Sequence, residues 1–140
     1  MRRLLLLALV VPLLSACGWF GFLGSGGPTS KEALASEIVQ DVPIWVTKEH
    51  LPANAVPGAQ LFARAGCTAC HTYLGDGDRN LGAPDLSAIG SRNLGIATQI
   101  KHLEDPSSVT PGSPMPSFSS LGKERLRQLA IFLEASKGTK

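Results

Sequence analysis

The chain has 140 residues, of which 17% are charged, and a formal charge of +2. This length suits one small domain, and the charges form no basic stripe of the kind that binds nucleic acid. Arg2 and Arg3 supply the net charge, because the remaining basic and acidic residues are equal in number. Nucleic acid is therefore not expected among the partners of this protein.

Residues 1–16 are typical of a bacterial lipoprotein signal peptide. Met1-Arg2-Arg3 is a short positive segment, and the apolar run at 4–14 is too short to span a bilayer. The run ends in Leu14-Ser15-Ala16-Cys17, which resembles the lipoprotein box and makes Cys17 the predicted lipidated residue. The alternative is an ordinary cleavage site that leaves a stray thiol. We expect an exported protein that is lipid-anchored to a bacterial membrane and faces the periplasm or the cell exterior.

Residues 17–56 are predicted to form a lipid-anchored tether, a short helix and an extended segment. Thr29 begins a capping-box pattern, so a helix is expected at about 30–40. Pro43 is expected to end this helix, because it lacks the N–H that a helix needs. The following Ile44-Trp45-Val46 is predicted to be extended, and it either packs on the next domain or docks a partner protein.

Residues 57–140 are predicted to form a separate all-α domain. Three helices are expected in it, at 58–67, 94–103 and 122–135. Pro57 suits a helix start, and Asp105-Pro106 is expected to end the middle helix. Ser119 or Ser120 is the predicted cap of the last helix. That helix has apolar residues at i, i+3, i+4 and i+7, which are Leu126, Leu129, Ala130 and Leu133.

The most informative feature is the run Cys67-Thr68-Ala69-Cys70-His71, the attachment signature of a c-type haem. Cysteines three apart share one face of a helical turn, so each thiol can bond one vinyl group of a single haem. His71 is then the predicted iron ligand. Export agrees with this interpretation, because bacterial c-type haem is attached outside the cytoplasm. With Cys17 assigned to lipid, no cysteine is left for a disulfide.

Two other sites are built on a Cys-x-x-Cys pair, a thioredoxin-like dithiol and a zinc site. Thioredoxin chemistry needs a strand before the motif and a βαβ framework after it, whereas residues 72–78 form a turn-rich loop without a strand pattern. Zinc would need His102 and His50 beside the two cysteines, and their spacing fits none of the compact zinc patterns. The sequence favours haem attachment over both.

A six-coordinate electron carrier needs a second iron ligand, and Met115 is the predicted one. It is the only methionine left after removal of the signal peptide, and it lies between Pro114 and Pro116. The fixed φ angles of these prolines stiffen the loop, so that it can hold a thioether against iron. Methionine with histidine raises the potential of the iron. The alternatives are a core methionine at 115, with His102 as the main competing ligand and His50 as a weaker one. Without that role, His102 would be a solvated side chain late in its helix.

Over residues 57–136 this pattern resembles class I cytochromes c. In that family a glycine and an aromatic residue on the first helix pack against a leucine and an aromatic residue on the last. Gly58 and Phe62 match the first pair, and Leu129 and Phe132 match the second. The resemblance implies a small all-α fold of three to four short helices around one covalently bound haem c. The haem would complete a core that is thin for a domain of this size.

Gly82-Ala83-Pro84-Asp85-Leu86 resembles the Gly-Pro-x-Leu loop of the family, with one residue inserted. In the family the carbonyl of that proline accepts a hydrogen bond from the proximal histidine, which raises the basicity of the imidazole. The inserted Ala83 leaves two carbonyls open, and Pro84 is the favoured one. Without that role Pro84 would be an ordinary turn residue.

A closer resemblance, to the haem c domain fused to some bacterial cytochrome oxidase subunits II, covers residues 66–116. It is carried by the run from Gly66 to Arg92, by Asp105-Pro106 and by Pro111-Gly112-x-x-Met115-Pro116. It implies that Arg92 pairs with a haem propionate, and a surface arginine is the alternative. The cupredoxin domain of those subunits, with its copper-binding cysteine pair, is not expected in this chain.

These features predict an electron-transfer protein rather than an enzyme, namely a membrane-anchored monohaem cytochrome c in a bacterial respiratory chain. The expected partners are redox proteins, such as a quinol-oxidising complex and a terminal oxidase, together with the membrane that holds the lipid anchor. One alternative is a fixed haem c subunit of such a complex, docked through residues 29–56. Another is a haem enzyme or gas sensor with an open iron site, which requires that Met115 not be a ligand.

Overall fold

The computed structural model describes residues 30–139, and this part of the chain is all-α, as the sequence predicts. Its α-helices are α1 (Ser30–Lys48), α2 (Val56–Arg64), α3 (Ile96–Glu104), α4 (Pro106–Val109) and α5 (Lys123–Ala135). Short 3₁₀ turns lie between them, at Ala53–Ala55, Cys67–Ala69, Ile89–Arg92 and Ser119–Leu121. The described residues contain no β-strand, and Tyr73 and Asp76 form only an isolated bridge.

Several predictions about the N-terminus concern residues outside the described range. The signal peptide at 1–16, the lipidated Cys17 and the helix cap Thr29 lie outside the described residues. Within residues 30–139, no helix has both the length and the apolar character needed to cross a bilayer. The attachment of the protein to a membrane therefore stays a prediction.

Helix α1 continues beyond Pro43, so the predicted helix end and the predicted extended segment at 44–46 are wrong. Ile38, Val42 and Trp45 recur at i, i+4 and i+7, and all three are buried. They give the helix one continuous face against the core. Pro43 lies on the exposed side. Burial of this face therefore outweighs the loss of the one helical hydrogen bond that proline removes.

α1 ends instead in a Schellman motif. His50 has a left-handed φ of 50°, and its N–H donates to the Thr47 carbonyl at 3.4 Å. The Leu51 N–H donates to the Val46 carbonyl at 3.0 Å, and the Leu51 side chain belongs to the hydrophobic core, against which Val46 packs. Pro52 follows and cannot continue the helix. These contacts satisfy carbonyl groups that a helix C-terminus otherwise leaves unpaired.

Helices α2 and α5 cross at close range, which confirms the predicted pairing of glycine and aromatic positions. A Cβ atom added to Gly58 would lie 2.1 Å from the Gln128 carbonyl oxygen and 2.6 Å from the Phe132 Cβ atom. Only glycine lets the two backbones approach this closely. Phe62 on α2 then meets Phe132 with ring centroids 5.4 Å apart, and Leu129 is fully buried beside them.

Two further helix boundaries depend on local capping. α3 ends before Asp105-Pro106, as predicted, but Asp105 also begins the unpredicted helix α4. Its Oδ1 accepts from the Ser108 N–H at 3.2 Å, which satisfies one of the free donors at the start of α4. The predicted caps of α5 are wrong, because Ser119 and Ser120 lie in a 3₁₀ turn and α5 starts without a side-chain cap.

Four aromatic rings form the centre of the core, and each is at most 1% exposed: Trp45, Phe62, Tyr73 and Phe132. The ring centroids of Trp45 and Tyr73 are 5.0 Å apart, and Trp45 Nε1 donates to the Asp76 carboxylate. The Tyr73 hydroxyl lies 2.9 Å from Ser136 Oγ, and burial raises the pKa of Tyr73. The side chain of Trp45, for which packing and partner docking were both open, packs into the protein.

Candidate haem site

The attachment motif lies on a tight turn that a glycine separates from α2. α2 was predicted to run to Cys67 but ends at Arg64, because Gly66 takes a left-handed φ of 81°. The N–H groups of Cys70 and His71 both donate to the Cys67 carbonyl, at 3.2 and 2.9 Å. Cys67 is buried, Cys70 is half-buried and both are free thiols. The two thiols are therefore available for thioether links.

A cavity of about 500 Å³ opens beside this turn. The sequence-predicted haem-binding residues all line it, namely Cys67, Cys70, His71, Pro84, Arg92 and Met115. Much of the remaining wall is apolar and includes Phe62, Leu103 and Leu129 from α2, α3 and α5. Cofactor sites usually have volumes of about 300–1,000 Å³ and mostly apolar walls. The size, the wall and the two thiols beside an imidazole and a thioether fit a covalently attached haem.

The geometry supports neither rival of the haem interpretation. Burial raises the pKa of the Cys67 thiol to about 12, whereas a thioredoxin-like nucleophile needs a lowered pKa. The part of the chain that the structure describes has no βαβ framework either. For zinc, no three His, Cys, Asp or Glu side chains within residues 30–139 form a group that could hold a metal ion. His50 is exposed at the end of α1 and is not part of the cavity wall.

His71 is oriented by one hydrogen bond. Its Nδ1 lies 2.8 Å from the Pro84 carbonyl oxygen. Because a carbonyl oxygen only accepts, Nδ1 carries the proton and donates it. The lone pair on Nε2 is then free to bind iron, and the hydrogen bond makes the imidazole a stronger ligand. The acceptor is the Pro84 carbonyl, which the sequence favours over that of Ala83.

Met115 lies half-buried on a loop that is tied at both ends. The Ser113 N–H donates to the Thr110 carbonyl at 3.0 Å, and Ser113 Oγ accepts from the Met115 N–H at 3.3 Å. Beyond the methionine, the Phe118 N–H donates to the Leu103 carbonyl of α3 at 2.8 Å. With proline on either side, the loop presents the thioether to the cavity at little further cost in chain entropy.

Arg92 reaches the cavity wall from a 3₁₀ turn that the end of the chain holds in place. Lys137 Nζ donates to the Gly90 carbonyl and, at 3.1 Å, to Asn93 Oδ1. The Gly90 N–H donates to the Ser136 carbonyl at 2.7 Å. Arg92 is exposed, and a guanidinium at the edge of this cavity suits the carboxylate of a haem propionate. That pairing stays a prediction.

His102, the main competing iron ligand, lies half-buried in the cavity wall. The other possibility for this residue, a solvated side chain, is therefore wrong. Burial lowers the pKa of His102, and the repulsion that two charged imidazoles would have with His71 nearby lowers it further. The signal lay in the helical spacing, because Gln99, His102 and Leu103 occupy i, i+3 and i+4 of α3 and all line the cavity.

Exposed apolar side chains concentrate at the edge of the same cavity. Leu81 is 70% exposed, and Leu94 and Val109 are exposed to a lesser degree, yet all three line the cavity. Patches of exposed apolar surface usually mark a place where something binds. A large apolar cofactor in the cavity would contact these three side chains.

Comparison with protein families identifies the chain. The family model described as cytochrome c matches residues 55–137, more than half of the chain. A comparison with curated proteins gives no match. The matched region contains α2 through α5, the attachment motif and Met115. The chain therefore belongs to the cytochrome c family, whose members carry a covalently attached haem c and transfer electrons with it.

Proposed function

We propose that this cytochrome c is a membrane-anchored monohaem carrier of single electrons in a bacterial respiratory chain, outside the cytoplasmic membrane. The observation that carries the proposal is the convergence of Cys67, Cys70, His71 and Met115 on one cavity. The chain has a single Cys-x-x-Cys-His motif, which corresponds to one haem. Histidine with methionine is the ligand pair of electron-carrying cytochromes c, whereas an enzyme or gas sensor needs an open iron position.

Each residue at the site has a separate task. A haem bound here supplies reversible one-electron chemistry at its iron. Cys67 and Cys70 hold the group by thioether links. His71 binds with Nε2 because its Nδ1 is occupied by Pro84, and Met115 binds from a loop stiffened by proline. Because both ligands are held by protein contacts, neither has to move when the charge on the iron changes.

The proposed partners are a quinol-oxidising complex as donor and a terminal oxidase as acceptor. The likeness of residues 66–116 to the haem c domain of bacterial oxidase subunits II supports a place in the respiratory chain. A fixed-subunit role is the weaker candidate, because Trp45, the side chain considered for docking, is fully buried. Mild detergent extraction separates the two roles. A carrier purifies alone, whereas a stoichiometric complex with either partner would contradict it.

The test of haem-based electron transfer uses the full chain, matured in a bacterial periplasm that attaches c-type haem. We expect a band that stains for peroxidase activity after denaturing electrophoresis and a redox titration that follows a one-electron curve. A variant with both Cys67→Ala and Cys70→Ala lacks the thioether links, so its band is expected to be colourless. A colourless wild-type band, from cells that mature a control c-type cytochrome, would contradict the proposal.

The lipid anchor is tested separately at Cys17. Cys17→Ser removes the thiol that would carry the acyl chains, which otherwise contribute roughly 0.8 kcal/mol for each buried methylene. We expect the variant in the soluble fraction or as an unprocessed precursor, as measured by immunoblot of washed membranes. Ser15→Ala, which leaves Cys17 intact, is the matched control and should stay on the membrane. A Cys17→Ser protein of processed size that stays on the membrane as the wild type does would refute lipidation.

A further inference from the structure

Residues 71–74 and residues 84–87 form two segments of the haem site that run side by side and are joined by hydrogen bonds in register. His71 Nδ1 donates to the Pro84 carbonyl at 2.8 Å, and in the next position Thr72 Oγ1 donates to Asp85 Oδ2 at 2.6 Å. The Leu86 N–H then donates to the Thr72 carbonyl at 2.9 Å. Because the contacts are consecutive along both segments, a contact that holds one position also holds its neighbours.

Asp85 uses one carboxylate oxygen to reach the other segment and the other oxygen to hold its own segment. Oδ2 accepts from Thr72, and Oδ1 accepts from the Ser87 N–H at 2.8 Å. Ser87 Oγ in turn accepts from the Leu74 N–H at 2.7 Å, which continues the contact between the segments. Burial acts to raise the pKa of Asp85, but the hydrogen bonds from Thr72 and Ser87 and the charge of Arg79 outweigh it and lower the pKa. The ionised carboxylate therefore keeps both oxygens as acceptors at neutral pH.

We propose that Asp85 is a positioning residue for His71, because its carboxylate holds the Pro84 carbonyl against Nδ1 and so keeps the imidazole oriented and electron-rich. Pro84 and Leu86, on either side of Asp85, line the cavity, whereas Asp85 does not. It therefore acts through its neighbours and not by touching the cofactor. An electron-rich imidazole stabilises the more highly charged ferric iron. This inference rests on the axial role proposed above for His71.

The test compares Asp85→Ala with Asp85→Asn in the haem-loaded protein. Asp85→Ala removes both acceptors, so we expect a higher midpoint potential and faster hydrogen exchange of the His71 Nδ1 proton. Asp85→Asn keeps the shape of the side chain. Its oxygen can accept from Ser87, and its amide can donate to the Thr72 hydroxyl, so a potential close to that of the wild type is expected. A merely structural role would lower the unfolding temperature of Asp85→Ala and leave its potential unchanged.

Asp78→Ala is the matched control, because Asp78 is exposed on the same stretch and its side chain makes no hydrogen bond within the described residues. Its potential should equal that of the wild type. A wild-type potential in Asp85→Ala would overturn the inference. So would a shift of the same size in Asp85→Asn or in Asp78→Ala, because that result would indicate an effect of charge alone.

A further variant covers the case in which Asp85→Ala does not retain haem. Thr72→Val removes one of the two hydrogen bonds and keeps the carboxylate, so its potential should rise as well, and an unchanged value there would overturn the inference. The peroxidase stain is recorded for each protein. Wild-type protein without haem contradicts the proposed function, whereas a haem-loaded series with constant potential contradicts only the role of Asp85.

Discussion

Met115→Ala is expected to leave the haem attached but to open the iron to outside ligands. The thioether links through Cys67 and Cys70 do not depend on the methionine, so the peroxidase stain should persist. The ferrous variant should bind carbon monoxide and the ferric variant cyanide, and the wild type, with both axial positions filled, should resist both. The weak long-wavelength absorbance of methionine-ligated ferric haem should disappear, and the midpoint potential should fall because methionine raises it. Optical titration with each ligand measures the effect.

Two companion variants make the result at Met115 unambiguous. Met115→Leu keeps an apolar side chain of similar volume, so ligand binding in this variant reports lost ligation and not lost packing. His102 lines the same cavity and could occupy the iron in place of the methionine, so Met115→Ala is also combined with His102→Gln. Wild-type resistance to both carbon monoxide and cyanide in all three variants would contradict ligation by Met115.

The chemistry of the site could be predicted from the sequence because its signals are local. The spacing of Cys67, Cys70 and His71 is set by the vinyl groups and the iron of one porphyrin. The motif can therefore be recognised without knowledge of the fold. The prediction of Met115 as a ligand rests on elimination and on its flanking prolines, and the structure places its side chain in the cavity wall. The contact between His71 and Pro84 followed from a family pattern that survives an inserted residue. The close crossing at Gly58 followed from a second family pattern, the glycine and aromatic positions of the first and last helices, since only the absence of a side chain allows it.

The features that the sequence did not predict depend on contacts between distant residues. Pro43 is a strong local signal for a helix end, but burial of Trp45 against Phe62 and Tyr73 outweighs it, and that burial exists only after folding. The end of α1 is marked by His50, whose backbone has the left-handed conformation. Glycine usually occupies this position at the end of a helix, so a histidine there gives no sequence signal for the helix end.

Polar residues show the same limit of sequence reasoning. Gln99 was not expected in the core, yet it is 5% exposed because its amide donates to Glu134 of α5 at 3.0 Å. Its partner lies 35 residues away, so no local pattern indicates that the amide is satisfied. The bridging role of Asp85 likewise needs Thr72 and the two loops in register, which only the fold provides.

Trp45→Ala is expected to destabilise the haem-loaded protein by about 3–5 kcal/mol, the usual cost of deleting a buried tryptophan ring. The ring is fully buried, its centroid lies 6.2 Å from that of Phe62 and 5.0 Å from that of Tyr73, and its Nε1 donates to Asp76. The substitution therefore leaves a cavity in the aromatic core and an unpaired carboxylate in the loop that follows the attachment motif. Denaturant unfolding followed by circular dichroism measures the change.

Ile44→Ala is the control for the tryptophan, because Ile44 is the preceding residue of the same helix and is 48% exposed. Surface substitutions usually change stability by less than about 0.5 kcal/mol. The loss of unfolding free energy should therefore be several times larger in Trp45→Ala than in Ile44→Ala. Trp45→Phe keeps most of the ring packing and loses the bond to Asp76, and it should fall between them. Equal stability of Trp45→Ala and Ile44→Ala would contradict the packing of α1 against the haem domain. The expected large difference would extend that domain upstream of residue 57 to include α1, because a tether or a partner-docking segment would not unfold the domain when its tryptophan is removed.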